Sequence, residues 1–171
     1  QETLAALAKI DKTKLSAADQ LNYDLFRKDV AEEVEAFQYR WFLVPLDQRS
    51  GIQTENEVAD SLPFRTVKDY EDWIARLRSF PAYLEQTTDL MRAGIRERII
   101  QPKIVMRRVT EQIKKQVVED PTESLYYKPF KNISADISAA DQERLKKEAQ
   151  AAIRDHLVPA HRRFAEFFEK E

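Results

Sequence analysis

Residues 16–43 read SAADQLNYDLFRKDVAEEVEAFQYRWFL, and this stretch decides the fold. Ser16 followed three residues later by Asp19 is typical of a helix start, because the two side chains can satisfy free backbone N–H groups. Apolar residues then recur every three or four positions, as on one face of a helix: Leu21, Leu25, Phe26, Val30, Val34, Phe37 and Trp41. The stretch therefore predicts one amphipathic helix, about 35–40 Å long, that ends near Leu43 because Pro45 follows.

Similar signals divide the rest of the chain. The same cap pattern recurs at Thr66 and at Ser138, each with an aspartate three residues on. Pro81 and Pro102 each fit the first turn of a new helix, where a missing N–H costs nothing. Pro159 lies inside the last helical pattern and is expected to bend it.

The composition supports a helical protein. The chain has only two glycines in 171 residues, whereas all-β proteins need turn glycines at short intervals. Its 43% hydrophobic residues make it too apolar for a disordered chain. The prediction is an all-α fold, an antiparallel bundle or array of about five to seven helices, in a single domain over residues 1–171.

Charge and composition also exclude some classes of function. The formal net charge is −2, which gives no overall attraction to nucleic acid or to an anionic membrane. The chain has no cysteine, so it forms no disulfide and no thiolate metal site. No apolar run approaches the roughly 18–20 residues of a membrane span. We therefore expect no nucleic-acid partner and no transmembrane segment.

No catalytic or metal site is predicted within these residues. The only histidines, His156 and His161, are five residues apart and so point roughly 140° away from each other on a helix. Zinc-binding helices use histidines four residues apart, and one helix offers too few ligands. There is no serine elbow and no glycine-rich phosphate loop. We name no catalytic residue, no metal ligand and no cofactor for this segment.

One local charge excess stands out between Arg92 and Lys115, where eight bases accompany two acids. One interpretation is that these are solvated helix faces whose partners lie in the acidic segment 29–35. The sharper interpretation is a surface that binds a substrate carboxylate or phosphate, because guanidinium groups grip such anions with two hydrogen bonds. The candidate substrate-binding residues are Arg107, Arg108 and Gln112.

Several apolar and aromatic residues need a structural explanation. Gly94, inside a helix, predicts close packing against a neighbour, with room for a ligand as the alternative. The aromatic residues of four helix positions are expected in the core: Phe37, Trp41, Tyr70 and Trp73. The predicted loop 122–137 contains the aromatic-rich sequence Tyr126-Tyr-Lys-Pro-Phe130, which either docks onto another part of the protein or lines a pocket.

The ends of the chain suggest a longer polypeptide. The first residue is Gln1, inside a helical pattern, and the last pattern stops without a glycine cap. Three phenylalanines near that end predict an apolar face that needs a partner element: Phe164, Phe167 and Phe168. We expect the remainder of the polypeptide to be that partner.

Five stretches, in this order, carry a family resemblance. They are Leu15-Ser-Ala-Ala-Asp-Gln-Leu-Asn-Tyr-Asp24, Ser50-Gly-Ile-Gln53, Val67-Lys-Asp-Tyr-Glu-Asp-Trp-Ile-Ala-Arg-Leu77, Met91-Arg-Ala-Gly-Ile-Arg through Ile100-Gln-Pro-Lys-Ile-Val105, and Val158-Pro-Ala-His-Arg-Arg-Phe164. Together they resemble the bacterial family called domain of unknown function 885, over essentially the whole chain.

The resemblance implies a longer, largely helical, zincin-like metallopeptidase or hydrolase. It associates the chemistry with a downstream His-Glu-x-x-Pro-Gly-His-His segment, which nothing in residues 1–171 matches. Zinc is thus implied for the full-length protein, with a peptide as substrate. The resemblance also implies export or lipoprotein signals, and so a bacterial cell envelope or periplasmic location.

Three functions are therefore distinguished. The first is a non-catalytic N-terminal helical domain that scaffolds the hydrolase or forms a wall of its substrate groove. The alternative is a stand-alone helical protein-interaction module, which burial of the three C-terminal phenylalanines in a stable monomer would favour. The third, nucleic-acid binding through residues 92–115, is opposed by the balanced overall charge.

Overall fold

The structure is a computed structural model that describes all 171 residues, and it confirms the all-α prediction with seven α-helices and no strand. The contacts within the chain divide it into two compact units, Gln1–Phe42 and Leu43–Glu171. Each unit is described by itself below. The assignment of the whole chain to a single domain stays a prediction.

The first unit contains two helices, α1 (Glu2–Leu7) and α2 (Ala17–Ala36). The predicted cap is present at the start of α2, where the Ser16 hydroxyl accepts a hydrogen bond from the Asp19 backbone N–H at 3.2 Å. Tyr23 ties the two helices together, because its hydroxyl donates to the Leu7 carbonyl at 3.2 Å. Leu7 is the one buried side chain of this unit.

The predicted end of α2 was wrong. The helix stops at Ala36, and short 3₁₀ turns at Phe37–Tyr39 and Trp41–Leu43 follow it. Arg40 between these turns has a left-handed backbone with φ of 56°. Such a conformation cannot continue an α-helix, so the chain turns at Arg40 although no proline or glycine is present there.

The core positions predicted for Phe37 and Trp41 were also wrong, since both side chains are 69% exposed. No residue of α2 is buried, and its side chains Leu21, Leu25 and Phe26 are about half or more exposed. The apolar spacing gave the helix correctly but not a core to receive it. The Phe37 and Phe42 rings instead stack on each other with centroids 5.0 Å apart.

The second unit is organised around α3 (Val67–Glu97). Its start is the predicted capping box, in which Asp69 accepts from the Thr66 N–H at 2.7 Å and Thr66 accepts from the Asp69 N–H at 3.3 Å. The prediction of a new helix at Pro81 was wrong, because α3 runs straight through this residue. Buried side chains on both sides of it, such as Leu77 and Leu84, hold the helix together across the missing hydrogen bond.

Four more helices complete the unit: α4 (Lys103–Lys114), α5 (Lys128–Lys131), α6 (Ala139–Ala152) and α7 (Val158–Lys170). A π-helical turn, Ile153–Leu157, joins α6 to α7 and widens the helix two residues before Pro159, whereas the bend expected at Pro159 stays a prediction. The starts predicted at Pro102 and Ser138 are confirmed. Helix α3 packs against α6, the π-turn and α7, and α4 packs against α7.

The core of this unit also takes in the aromatic loop and the last phenylalanines. Tyr126 and Phe130 are fully buried, and the Trp73 indole N–H donates to the Tyr126 carbonyl at 3.1 Å. The loop therefore docks onto α3 of its own chain. Phe164 and Phe167 are buried in the same core, which corrects the expectation that they form a face without a partner.

Before α3, the segment Ile52–Ser61 forms a 3₁₀ helix rather than an α-helix. Gly51 precedes it with φ of 128°, a value that L-residues rarely adopt. Further 3₁₀ turns lie at Lys12–Lys14, Pro121–Glu123 and Leu125–Tyr127.

Candidate functional site

A mainly apolar concave surface forms an open groove in the second unit, lined by residues from the end of α3, the start of α4, the end of α7 and the segment 43–46. We call it the α3–α7 groove, and its volume is about 200 Å³. Among its lining residues, Leu46 and Phe167 are buried, whereas Ile95 and Ile100 are 42% and 65% exposed. Its other apolar lining residues are Leu43, Val44, Pro45, Met91, Ile99, Met106 and Phe168.

The turn after α3 shapes one side of this groove. Arg98 adopts a left-handed conformation, its N–H donates to the Ile95 carbonyl at 3.2 Å, and the Ile99 N–H donates back to the Gly94 carbonyl at 2.9 Å. This pair of bonds is a Schellman cap, which reverses the chain and brings the next residues alongside the helix. Ile99 and Ile100 therefore join Ile95 on the same surface.

Gly94 is required by the way the segments meet at this turn. A Cβ atom on Gly94 would lie 2.6 Å from the Ile99 carbonyl oxygen and 2.7 Å from the Leu43 carbonyl oxygen. Both atoms belong to backbone that cannot move aside cheaply. Close packing, the first of the two sequence interpretations, thus explains this glycine.

Two of the bases between residues 92 and 115 have acidic partners, and both partners lie at the C-terminal end of the chain, Glu169 on α7 and Glu171 just after it. Arg92 binds the Glu171 carboxylate with two nitrogens, at 2.6 and 3.0 Å, and Lys114 pairs with Glu169 at 2.8 Å. Both of these partners belong to the second unit, and the expected pairing with the acidic segment 29–35 of the first unit stays a prediction. The hydrogen bonds from Arg92 lower the pKa of the Glu171 carboxyl.

Arg92 contacts a lining residue of the groove in addition to its ion pair with Glu171. Its guanidinium carbon lies 5.1 Å from the centre of the Phe167 ring, within the range of a cation–π contact. The Glu171 carboxylate in the groove lining is thus held by a neighbouring arginine.

The three predicted substrate-binding residues lie on α4, but they do not converge. Arg107 is exposed and makes no hydrogen bond or ion pair, whereas Arg108 points about 100° away from it around the helix. The Arg108 guanidinium donates to the Gln48 side-chain oxygen at 3.1 Å, and Gln112 donates to the Gln48 backbone carbonyl at 3.0 Å. Arg108 and Gln112 therefore hold the loop that contains Gln48. Of the two arginines, only Arg107 has a guanidinium without a hydrogen-bond partner.

Sequence reasoning missed the polar cluster that holds this loop. Gln53 and Gln116 are almost completely buried. The Gln53 amide donates to the carbonyls of Asp47 and Ser50 at 2.7 and 3.1 Å, and the Gln116 amide donates to the Gln53 carbonyl at 2.9 Å. The four-residue spacing of Gln112 and Gln116 was the available signal, although only Gln112 lies on α4 and Gln116 lies in the turn just after it.

The two histidines point to different environments, as their spacing predicts. His156 is exposed, whereas His161 is fully buried and its ring stacks on Phe80 with centroids 5.5 Å apart. Its Nδ1 donates to the Leu157 carbonyl at 3.1 Å, which leaves Nε2 without a hydrogen-bond partner. Burial lowers the pKa of His161 to about 4. No group of three or more histidine or carboxylate side chains is placed to hold a metal ion.

No helix is both long enough and apolar enough to cross a lipid bilayer. Fold and surface together define a helical domain with an apolar groove and a basic neighbouring helix. The chain belongs to the family described as bacterial protein of unknown function (DUF885), whose match covers residues 1–171. This match confirms the family resemblance. No curated protein and no solved structure matches the chain.

Proposed function

We propose that this chain is a non-catalytic N-terminal helical domain of a zinc-dependent, peptidase-like hydrolase, and that it forms one wall of the substrate groove. The observation that carries the proposal is the α3–α7 groove, where an apolar lining lies beside a helix rich in unpaired bases. The partners of this domain are the remainder of its own polypeptide and a peptide substrate. Zinc would be held by other parts of that polypeptide, and the protein would reside in the bacterial cell envelope or periplasm.

Arg107 has the properties that substrate binding needs. It follows Met106, which lines the groove, and its guanidinium is exposed and without an internal partner. A guanidinium can bind a carboxylate through two parallel hydrogen bonds, which gives direction as well as affinity. Gln112 and Arg108 would support the site indirectly by holding the loop at Gln48.

The second candidate is a helical protein-interaction module that works without a hydrolase. The burial of Phe164 and Phe167 within the second unit favours it, because the core of that unit leaves neither ring needing a further partner. Phe168 is half-buried and packs against the same core.

Zinc content and peptide hydrolysis distinguish the two candidates. Both quantities are measured on the 171-residue chain and on the full-length natural protein that carries it. The hydrolase proposal expects zinc and cleavage only in the full-length protein. Absence of both from the full-length protein would leave the interaction module as the better description.

The role of Arg107 is tested in the full-length protein with Arg107→Ala. We expect KM for a peptide with a free carboxylate to rise about tenfold, which corresponds to one charged hydrogen-bonded pair. Arg162→Ala is the matched control, since Arg162 is also an exposed helical arginine without an internal partner. An unchanged KM in Arg107→Ala would remove this residue from the substrate wall.

A further inference from the structure

The α3–α7 groove continues into exposed aliphatic surface. Ile100 lines it and is 65% exposed, and Ile95 in the same lining is 42% exposed. Large aliphatic side chains that remain exposed around a concave apolar surface mark sites where another molecule binds. The groove therefore presents both a recess and an apolar margin to an incoming partner.

The size of the recess limits what can fill it. Its volume is about 200 Å³, below the roughly 300–1,000 Å³ of typical small-molecule pockets. One or two large aliphatic side chains of a longer molecule fit such a volume, in the way that anchor residues fill the pockets of protein interfaces. A peptide segment, which can place one such side chain in the recess and others on the isoleucine margin, suits this shape.

The charge beside the groove selects among peptides. Arg92 and Lys114 are neutralised by α7, but the other bases of residues 92–115 make no ion pair: Arg96, Arg98, Lys103, Arg107, Arg108 and Lys115. None of these side chains lines the groove itself, but Arg96 and Arg98 lie beside the lining residues Ile95 and Ile99 at the end of α3, and Arg107 follows the lining residue Met106 on α4. Their field favours a partner whose own charge is negative.

We propose that the α3–α7 groove binds an amphipathic peptide segment in which large aliphatic side chains stand next to carboxylates. The proposal names the class of peptide for the substrate wall described above, so it rests on the peptide-binding part of that function and not on zinc or hydrolysis. A symmetric pair of copies is a poorer occupant, because a two-fold interface would place this basic surface against itself.

The test is the binding of fluorescein-labelled twelve-residue peptides to the 171-residue chain, followed by fluorescence anisotropy. The repeat Leu-Leu-Glu-Glu is compared with Leu-Leu-Gln-Gln and Leu-Leu-Lys-Lys. We expect the acidic peptide to bind, the glutamine peptide to bind about tenfold more weakly, and the lysine peptide not to bind. Affinity for the acidic peptide should fall as salt is raised.

Surface variants locate the binding. Ile100→Ser should weaken binding of the acidic peptide about tenfold. Ile104→Ser should not, because Ile104 is even more exposed but does not line the groove. The double variant Arg96→Gln with Lys103→Gln should also weaken it, and Arg162→Gln should not. All five positions are exposed, so circular dichroism should show an unchanged fold.

The proposal would be overturned by no binding of any peptide, by binding that ignores peptide charge, or by equal loss in Ile100→Ser and Ile104→Ser. Binding of vesicles containing phosphatidylserine without binding of the peptide would also overturn it. Concentration-dependent dimerisation that Ile100→Ser abolishes would assign the groove to a second copy instead. Because the assay contains no zinc and no cleavage, its failure is distinct from failure of the hydrolase proposal.

Discussion

His161 shows how one buried side chain can make the second unit sensitive to acid. Its ring is enclosed by Phe80 and Tyr126, and no charged group contacts it. Desolvation therefore lowers its pKa in the folded protein to about 4, from an ordinary value near 6.5. The unfolded chain binds the proton more tightly, so stability is complete above pH 6.5 and is lost as the pH falls from 6.5 towards 4.

We expect the free energy of unfolding to decrease by about 3 kcal/mol between pH 7 and pH 4 because of this histidine. Urea denaturation at several pH values measures it. His161→Gln should flatten the dependence in this window, and His156→Gln, which changes an exposed ring, should keep it. Hydrogen-bonded carboxylates such as Asp69 have lowered pKa values and so act below this window. A slope that survives His161→Gln would contradict this account.

Gly94 is the residue where helix propensity and packing make opposite predictions. Propensity alone predicts that Gly94→Ala stabilises α3 by about 1 kcal/mol. The short distances from its Cβ position to two backbone oxygens predict the reverse. We expect a net loss of about 1–3 kcal/mol in the free energy of unfolding.

Chemical denaturation of Gly94→Ala measures this loss. The variant Ala75→Gly, at an exposed site of the same helix, measures how much the difference in helix propensity between alanine and glycine contributes. A stabilised Gly94→Ala protein would mean that Leu43 and Ile99 move apart readily, and that the groove wall is softer than its packing indicates.

Among the elements, helix starts follow from the sequence better than helix ends. The caps at Ser16, Thr66 and Ser138 were all predicted, because each depends on groups only three residues apart. The end of α2 and the continuity of α3 through Pro81 were not predicted. The turns after α2 and α3 contain Arg40 and Arg98 in left-handed conformations that are usual for glycine, so no glycine marks either helix end in the sequence.

Pro81 offers a test of how packing overrides local preference in α3. The residue has no N–H to give to the Leu77 carbonyl, and its ring crowds the preceding turn. We expect Pro81→Ala to raise the free energy of unfolding by about 1–3 kcal/mol. Thermal unfolding followed by circular dichroism gives the change.

Pro159 provides the comparison for that experiment. It follows a π-helical turn in which the Val158 N–H donates to the Ile153 carbonyl, five residues earlier. The widened turn already makes room for the proline ring, so Pro159→Ala should gain less. Equal gains at both positions would show that the π-turn does not serve this purpose.

At the scale of the whole molecule, the two units differ in how many apolar side chains each buries. Residues 43–171 contain the continuous buried cluster, whereas residues 1–42 bury Leu7 alone. The sequence carried a partial sign of this difference, because apolar and polar residues are separated to opposite faces less clearly in α2 than in α3. The groove was hidden from the sequence, since it is assembled from segments near residues 43–46, 91–101, 106 and 167–171.

We expect a fragment of residues 43–171 to fold cooperatively by itself, with a urea transition close to that of the second unit in the whole chain. A peptide of residues 1–42 should be only weakly helical, because short helices without a packed face are marginal in water. Circular dichroism of the two pieces makes the comparison. An unfolded 43–171 fragment would show that its core depends on the first 42 residues.

The two tryptophans have a practical consequence for such measurements. Trp41, 69% exposed, belongs to the first unit, and Trp73, 2% exposed and hydrogen-bonded to the aromatic loop, belongs to the second. An indole in water emits at longer wavelengths than one enclosed by protein. The native chain thus carries one red-shifted and one blue-shifted emitter, and Trp41→Phe or Trp73→Phe would let ordinary fluorescence follow either unit without any added label.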